Sequence, residues 1–279
     1  MLGIATKRHV LPGFGLTIGL TLTWLTLLIL IPLAGLFVKT SELTFAQFWS
    51  TVTSPRTLHA LTLSFGLSFA AAVVNLVAGV IIVWALVRYR FPGRRLFDAI
   101  VDIPFALPTA VAGVALSALF SQNGWLGAPL AALGIKVAYT PLGIFIAMIF
   151  IGIPFVVRTV QPVLSDLEIE LEEAATSLGA NRAQIVTKVI LPSLLPAILT
   201  GFALAFARAV GEYGSVIFIA GNLPNVSEIA PLLIVIRLSE FRYADATAIA
   251  VVMLIVAFII IFILNRIQRW SQLRGAVDH

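Results

Sequence analysis

Ser165-Asp-Leu-Glu-Ile-Glu-Leu-Glu172-Glu173-Ala174-Ala175-Thr-Ser-Leu178-Gly179-Ala-Asn181-Arg182-Ala-Gln-Ile-Val-Thr-Lys-Val189-Ile-Leu191-Pro192 is a polar interruption in an apolar chain. Five of the thirteen acidic residues fall within eight positions of it. Ser165 with Glu168 reads as a capping box, the next acids suit the positive end of a helix, and Gly179 suits a helix stop. Leu167, Leu171, Ala174 and Leu178 recur at i, i+4, i+7 and i+11, which makes an apolar stripe. Asn181 and Gln184 cap a second short helix carrying Ile185 and Val189, and Pro192 opens the apolar stretch that follows. The spacing therefore predicts two capped amphipathic helices over about 165–191, jointed at a glycine. A helix lying on a membrane surface carries Lys and Arg on its polar face. This acidic one is repelled by anionic headgroups and suits a protein groove with basic rims.

The rest of the chain explains where such an elbow sits. Its 279 residues are 60% apolar and 11% charged, against about 25% charged in a soluble domain, and the mean hydropathy is +1.05. Too little polar side chain remains to cover a water-facing surface, which excludes soluble folds. Six apolar stretches, at about 12–37, 60–87, 98–120, 139–160, 194–220 and 244–265, are long enough to cross about 30 Å of hydrocarbon. Lipid satisfies no backbone hydrogen bond, so each is expected to be helical. The expected class is an all-α polytopic membrane protein with a single transmembrane domain over 1–279. The first stretch follows Lys7 and Arg8, but its apolar run is too long for a signal peptide and no A-x-A site ends it.

Basic residues fall into two sets on alternate loops. Lys7, Arg8, Arg88, Arg90, Arg94, Arg95, Arg158, Arg182, Lys188, Arg266, Arg269 and Arg274 form one set. Lys39, Arg56, Lys136, Arg237 and Arg242 form the other, and Arg208 alone lies within a stretch. The positive-inside rule then puts both termini in the cytoplasm. The pI near 10.0 reflects that anchoring, so nucleic acid is not an expected partner. The chain has no cysteine, and His9, His59 and His279 lie far apart, so no metal-ligand spacing exists. External segments are short; one near Thr44 to Trp49 is expected to lie flat at the interface, and none is large enough to capture a solute.

Three stretches carry distinctive chemistry. In the second, Ser64, Ser68, Ala71, Asn75 and Gly79 share one helix face and read as a close-packing seam. The third runs Asp98-Ala-Ile-Val-Asp102-Ile-Pro104-Phe-Ala-Leu-Pro108-Thr109-Ala-Val-Ala-Gly113. Its two prolines break the helical ladder, so this span is expected to be interrupted and interior. Asp98 and Asp102 read as capping residues paired with Arg94. The fifth contains Ala207-Arg208-Ala-Val-Gly211-Glu212-Tyr-Gly214-Ser215, whose charges read as the only ones well inside a span. Arg208 and Glu212 stand four apart and are able to pair. Two readings stay open there, a functional site and a neutral structural pair. Gly201, Gly211 and Gly214 imply tight packing or a hinge.

Glu173-Ala174-Ala175, three residues, Gly179, nine residues, Val189, one residue, then Leu191-Pro192 resembles the EAA loop of ABC-importer permeases, with Val189 where the family usually has Ile. Asp102 to Gly113 and Arg208 to Asn222 are similar to T-type sulfate and thiosulfate permease subunits, with molybdate and tungstate permeases as close relatives. The resemblance covers nearly the whole chain. It implies the type I ABC-importer permease fold, a bacterial inner-membrane location, and a coupling role for Glu172, Glu173, Ala174, Ala175, Leu178, Gly179 and Arg182. It also implies a second permease (identical or a W-type homologue), two cytoplasmic ATPase subunits and an external sulfate-binding protein. The chain has no G-x-x-x-x-G-K-[ST] sequence, so ATP and Mg are expected in the ATPase partner, with no cofactor in this non-enzymatic chain.

Arg208, Glu212 and Ser215, with Pro104, Pro108 and Thr109, are the expected pathway residues, since a dianion crossing low dielectric needs donors such as hydroxyls and amides. An ATP-independent secondary carrier accounts for the spans and buried charges but leaves the acidic elbow without a task, and no inverted pair of matching segments is visible. A mere membrane anchor needs neither charge nor proline inside its spans.

Overall fold

A computed structural model describes residues 14–277, with side chains as far as residue 267. The positions of Lys7, Arg8, His9, Arg269, Arg274 and His279 used above lie outside those residues or side chains. All regular structure among the described residues is helical. Five helices are long and apolar enough to cross a bilayer: α1 (Phe14–Thr40), α3 (Pro55–Arg88), α8 (Pro141–Ser165), α10 (Arg182–Val210) and α13 (Tyr243–Val277). The sixth expected crossing, at 98–120, is the interrupted series α4 (Arg94–Val101), α5 (Ile103–Ala106) and α6 (Thr109–Phe120). Short helices α2 (Phe45–Val52), α7 (Gly127–Ala132), α9 (Ile169–Ser177), α11 (Val216–Ile219) and α12 (Ala230–Ser239) complete the chain. The interfacial segment expected near Thr44 is α2, closed by a capping box between Thr44 and Gln47.

Helices α3, α8 and α10 form the centre of the bundle. Apolar association gains little in lipid, so close backbone approach has to hold such helices together. The small-residue face of α3 supplies it, since Ser64, Ser68, Ala71, Asn75 and Gly79 are all buried. A Cβ on Gly79 would stand 2.7 Å from Val156 Cγ1, one on Gly152 would stand 2.0 Å from Asn75 Nδ2, and one on Gly201 would stand 3.0 Å from Val156 Cα. These glycines let the three helices touch. Helix α1 buries none of its residues and meets the bundle through α13.

Two expectations at the elbow are corrected. Ser165 is the last residue of α8, and Glu168 is the N-cap of α9 with no side-chain cap bond, so no Ser165–Glu168 capping box forms. The apolar run from Pro141 keeps α8 helical past the point where the capping signal asked it to stop. Pro192 does not open the fifth span either, because α10 runs unbroken from Arg182 through a wide π turn at Val186–Ile190. Proline at 192 cannot donate to the carbonyl four residues back and crowds it. The π turn shifts the bonding by one residue, with Leu191 N–H donating to the Val186 carbonyl, and so admits the ring. The same device precedes Pro32, where the turn Thr26–Leu30 ends two residues earlier. At its other end α10 stops at Val210, so the fifth span ends ten residues before the expected 220.

Candidate translocation segment and coupling elbow

Two prolines set the break in the third crossing, 98–120, in different ways. Pro104 falls in the first turn of α5, where its missing N–H costs no bond. Pro108 acts on its predecessor: Leu107 is driven to the extended region, φ −83° and ψ 132°, and α6 starts afresh at Thr109. Arg158 of α8 fixes the near side of this break. Its Nε and Nη2 donate to the Asp102 carboxylate at 2.7 Å each, Nη1 donates to Asp98 and Gln161 at 2.7 Å, and Nη2 also reaches the Asp98 carbonyl at 2.8 Å. The expected partner, Arg94, is not the one that holds these aspartates. Arg158, read from sequence as a loop cation, lies inside α8.

Across from α6 stands the segment that follows α10. A Cβ on Gly113 would stand 2.4 Å from the Ser215 carbonyl oxygen, and one on Gly214 would stand 2.1 Å from Thr109 Oγ1. The two proline- and glycine-rich motifs thus lie against each other. Arg208 and Glu212 pair at 2.5 Å as their spacing foretold. The Glu212 carboxylate is 1% exposed and also accepts from the Ser215 N–H at 2.8 Å and the Ser215 hydroxyl at 2.9 Å. Ser215 is fully buried and its hydroxyl is spent on Glu212, while Arg208 keeps a third of its side chain open. Of the expected pathway residues, Pro104 and Thr109 are half-buried and Pro108 is exposed.

A second buried pair escaped the sequence reading. Glu228, fully buried, accepts from Arg56 Nε at 2.7 Å and Nη2 at 2.6 Å. The Arg208–Glu212 charges are therefore not the only ones inside the bundle. The two carboxylates bracket residues 212–228, the irregular stretch around α11, and each is neutralised by an arginine from a long helix. Backbone of this kind is tolerated at membrane depth only inside protein or beside a wet cavity. Only a bulk-apolar context separated Glu228 from an ordinary loop acid, and the sequence has no spacing signal linking it to Arg56, 172 positions away.

The elbow itself is built as expected at its joint. Gly179 takes φ +84°, Gly179 N–H donates to Thr176 and Ala180 N–H to Ala175, which closes α9 in a Schellman turn. Asn181 and Gln184 form the capping box that starts α10. Ile169, Leu171, Ala174 and Leu178 face outward, Leu178 at 89% exposure, whereas Leu167 and Ala175 pack on the core. Glu173 and Arg182 are exposed, and Glu172 turns inward to an ion pair with Arg88 at the end of α3.

Residues 75–274 match the family of binding-protein-dependent transport system inner membrane components. The chain belongs to this family. It is 50% identical to the sulfate transport system permease protein CysT of Salmonella typhimurium over 96% of both chains. It is 49% identical to the Escherichia coli protein of that name over 94% of this chain and 95% of that one. Among solved structures, it superposes on a bacterial ABC transporter involved in import of the acidic polysaccharide alginate with a TM-score of 0.76 at 18% identity, covering 92% of this chain and 96% of that one. The MetNI methionine ABC transporter gives 0.60 at 20% identity over 82% and 99%. These distant likenesses establish the fold, which is that of ABC-importer permeases. The chain is a multi-pass inner-membrane permease.

Ion pairs tie the permease's loops into two groups. Arg56 with Glu228 joins the start of α3 to the segment before α12, and a hydrogen bond from the Thr51 hydroxyl to Asp245 at 2.9 Å joins α2 to α13. Arg88 with Glu172 joins the opposite end of α3 to the elbow, and Arg158 with the two aspartates joins α8 to the broken crossing. The two groups match the two sets of alternate loops.

Proposed function

We propose that this permease is the transmembrane subunit of an ATP-driven importer for sulfate and thiosulfate, with both termini in the cytoplasm. It works beside a second permease (identical or a W-type homologue), two cytoplasmic ATPases that bind ATP and Mg, and an external sulfate-binding protein. The oxyanion class is supported by the names of the half-identical relatives. One observation carries the mechanical reading: α9, closed at its C-terminal end by the Gly179 turn, presents Leu171 and, at that joint, Leu178 outward beside exposed acids. An apolar stripe with an acidic border suits a groove in a partner protein. Closure of the ATPases on ATP pulls the two elbows together and rocks the spans between inward-open and outward-open states, each with its own contacts.

The pathway runs where α5, α6 and the segment 212–228 meet. Arg208, with its exposed third, offers a donor there, and Glu212 tempers its charge so that a dianion is released. Pro104, Pro108 and Thr109 shape the facing wall.

Uptake of labelled sulfate into cells lacking their own sulfate importers tests this directly. Expression of the permease with its co-purifying subunits is expected to restore uptake, with thiosulfate competing more strongly than molybdate. Stronger competition by molybdate or tungstate moves the substrate to those anions. The purified chain alone, in vesicles, is expected to pass no sulfate down its gradient; passage would make it a secondary carrier.

A further inference from the structure

We propose that Glu172 and Arg88 are positioning residues that make α3 a push-rod between the coupling elbow and the outer bracket of the translocation segment. This rests on the elbow being the ATPase handle. Two features of the inner end point to the role. The elbow helix α9 packs on the opening turns of α10, and between that joint and α3 lies a cavity of about 540 Å³ lined by Trp84, Arg88, Glu172, Arg182, Ile185 and Ile190. The Arg88–Glu172 ion pair spans this gap, beside the apolar contacts that Leu167 and Ala175 make with the core. Arg88 is the last residue of α3, and its guanidinium lies over the Trp84 ring at 5.7 Å, which limits its freedom to swing with the glutamate. Both side chains are 19% exposed, so the pair is shielded from the screening that weakens surface ion pairs.

The outer end supplies the second pin. The same helix carries Arg56 in its first turn, and Arg56 grips fully buried Glu228 with two hydrogen bonds. A continuous helix of 34 residues is about 50 Å long and, seated on α8 and α10, carries a displacement of one end to the other as a single body with them. Movement of α9 toward or away from the membrane thus reaches residues 212–228 through α3, in addition to the covalent route along α10.

The test uses the intact complex in proteoliposomes, with sulfate moved per ATP hydrolysed and ATPase retained on the purified complex as readouts. Arg88→Met and Glu172→Gln are each expected to lower transport per ATP at least fivefold with the ATPase retained. The double variant is expected to be no worse than either single. The swap Arg88→Glu with Glu172→Arg is expected to restore the ratio to within about twofold of wild type. An unchanged ratio in the singles, a swap as defective as they are, or loss of the ATPase from the singles overturns the proposal. Should the singles fail to reach the membrane, the swap decides alone: a fivefold loss from an assembled swapped complex overturns it. Leu178→Asp tests the underlying reading separately. It is expected to release the ATPase, and retention would sink the handle itself whatever the ion pair does.

Discussion

Replacing Gly113 with alanine adds a single carbon at the tightest backbone-to-backbone contact between the two proline- and glycine-rich motifs. That Cβ would stand 2.4 Å from the Ser215 carbonyl oxygen and 2.7 Å from its Cα. Ordinary contact begins at 3.4 Å, so α6 and the Gly211–Ser215 turn have to part by about 1 Å. Neither side yields easily, because the obstructing atoms are backbone and Ser215 is pinned to Glu212 by bonds of 2.8 and 2.9 Å. Overpacking of this kind costs about 1–3 kcal/mol, and the rigid neighbour puts the expected value at about 2–3 kcal/mol. At roughly 2–4 °C per kcal/mol for a chain of this size, the unfolding midpoint in detergent, followed by tryptophan fluorescence, should fall by about 4–12 °C. Sulfate uptake should fall with it. Gly211→Ala is the internal control. Gly211 has φ −86°, and the nearest atom to its added Cβ is 3.8 Å away. That substitution should be neutral or stabilising by up to about 1 kcal/mol. Equal behaviour of the two variants would refute the claim that the break is held by backbone-to-backbone contact at Gly113.

Gly179→Ala meets no neighbour within 4 Å, so its cost is the left-handed φ of +84° alone, about 1 kcal/mol. Gly179→Asn, which tolerates that region, should keep uptake per ATP near wild type, while Gly179→Pro should uncouple hydrolysis from uptake with membrane insertion intact. Arg208→Ala leaves the Glu212 carboxylate buried and unpaired, which should cost about 3 kcal/mol in detergent unfolding; adding Glu212→Gln should recover much of the loss, and failure to do so would show that the pair does not act through charge. Arg158→Ala frees α4 and α5 from α8. Its partners are 41% and 49% exposed, so only about 1 kcal/mol is expected, seen as faster tryptic cleavage at Arg94 and Arg95.

The helical class, the long spans, the interruption at Pro104–Pro108 and the glycine-jointed elbow were all legible in the sequence, because each rests on local chemistry. Hydrophobic length, proline geometry, a capping residue and a glycine at positive φ act within one or two turns. The small-residue face of α3 was legible for the same reason, since residues three and four apart share a side. Four features were not. The continuation of the Asn181-capped helix through Pro192 into the fifth span depends on a π turn, which a proline rule does not foresee. Glu228 meets Arg56 from 172 positions away. Glu172 reads as one more acid on a solvated helix until the fold brings Arg88 to it from 84 positions away. Arg158 counts as an ordinary inner-face cation until both aspartates are seen around it. In the cases of Glu228, Glu172 and Arg158 the deciding partner is distant in sequence.

That division has a consequence for the mechanism. The elements that can be read locally are rigid bodies: α3, α8 and α10 with their close-packed glycines, and α9 with its glycine stop. What cannot be read locally is how these bodies are joined, and the joints are ion pairs in partly or wholly buried settings. Packed helices resist sliding because many small contacts must break together, whereas one ion pair exchanges its partner with little displacement. A transporter that alternates between two states therefore gains by concentrating its adjustable contacts in a few charged joints and leaving its seams apolar. Arg208–Glu212 and Arg56–Glu228 hold the segment 212–228 at its two ends, and Arg88–Glu172 links that frame to the elbow. Glu212 spends its carboxylate on both Arg208 and Ser215, so any shift that frees Arg208 toward a passing anion still leaves the turn closed by serine. In the proposed pathway, the charge offered to the substrate and the bond needed by the backbone would thereby come from different partners of one carboxylate.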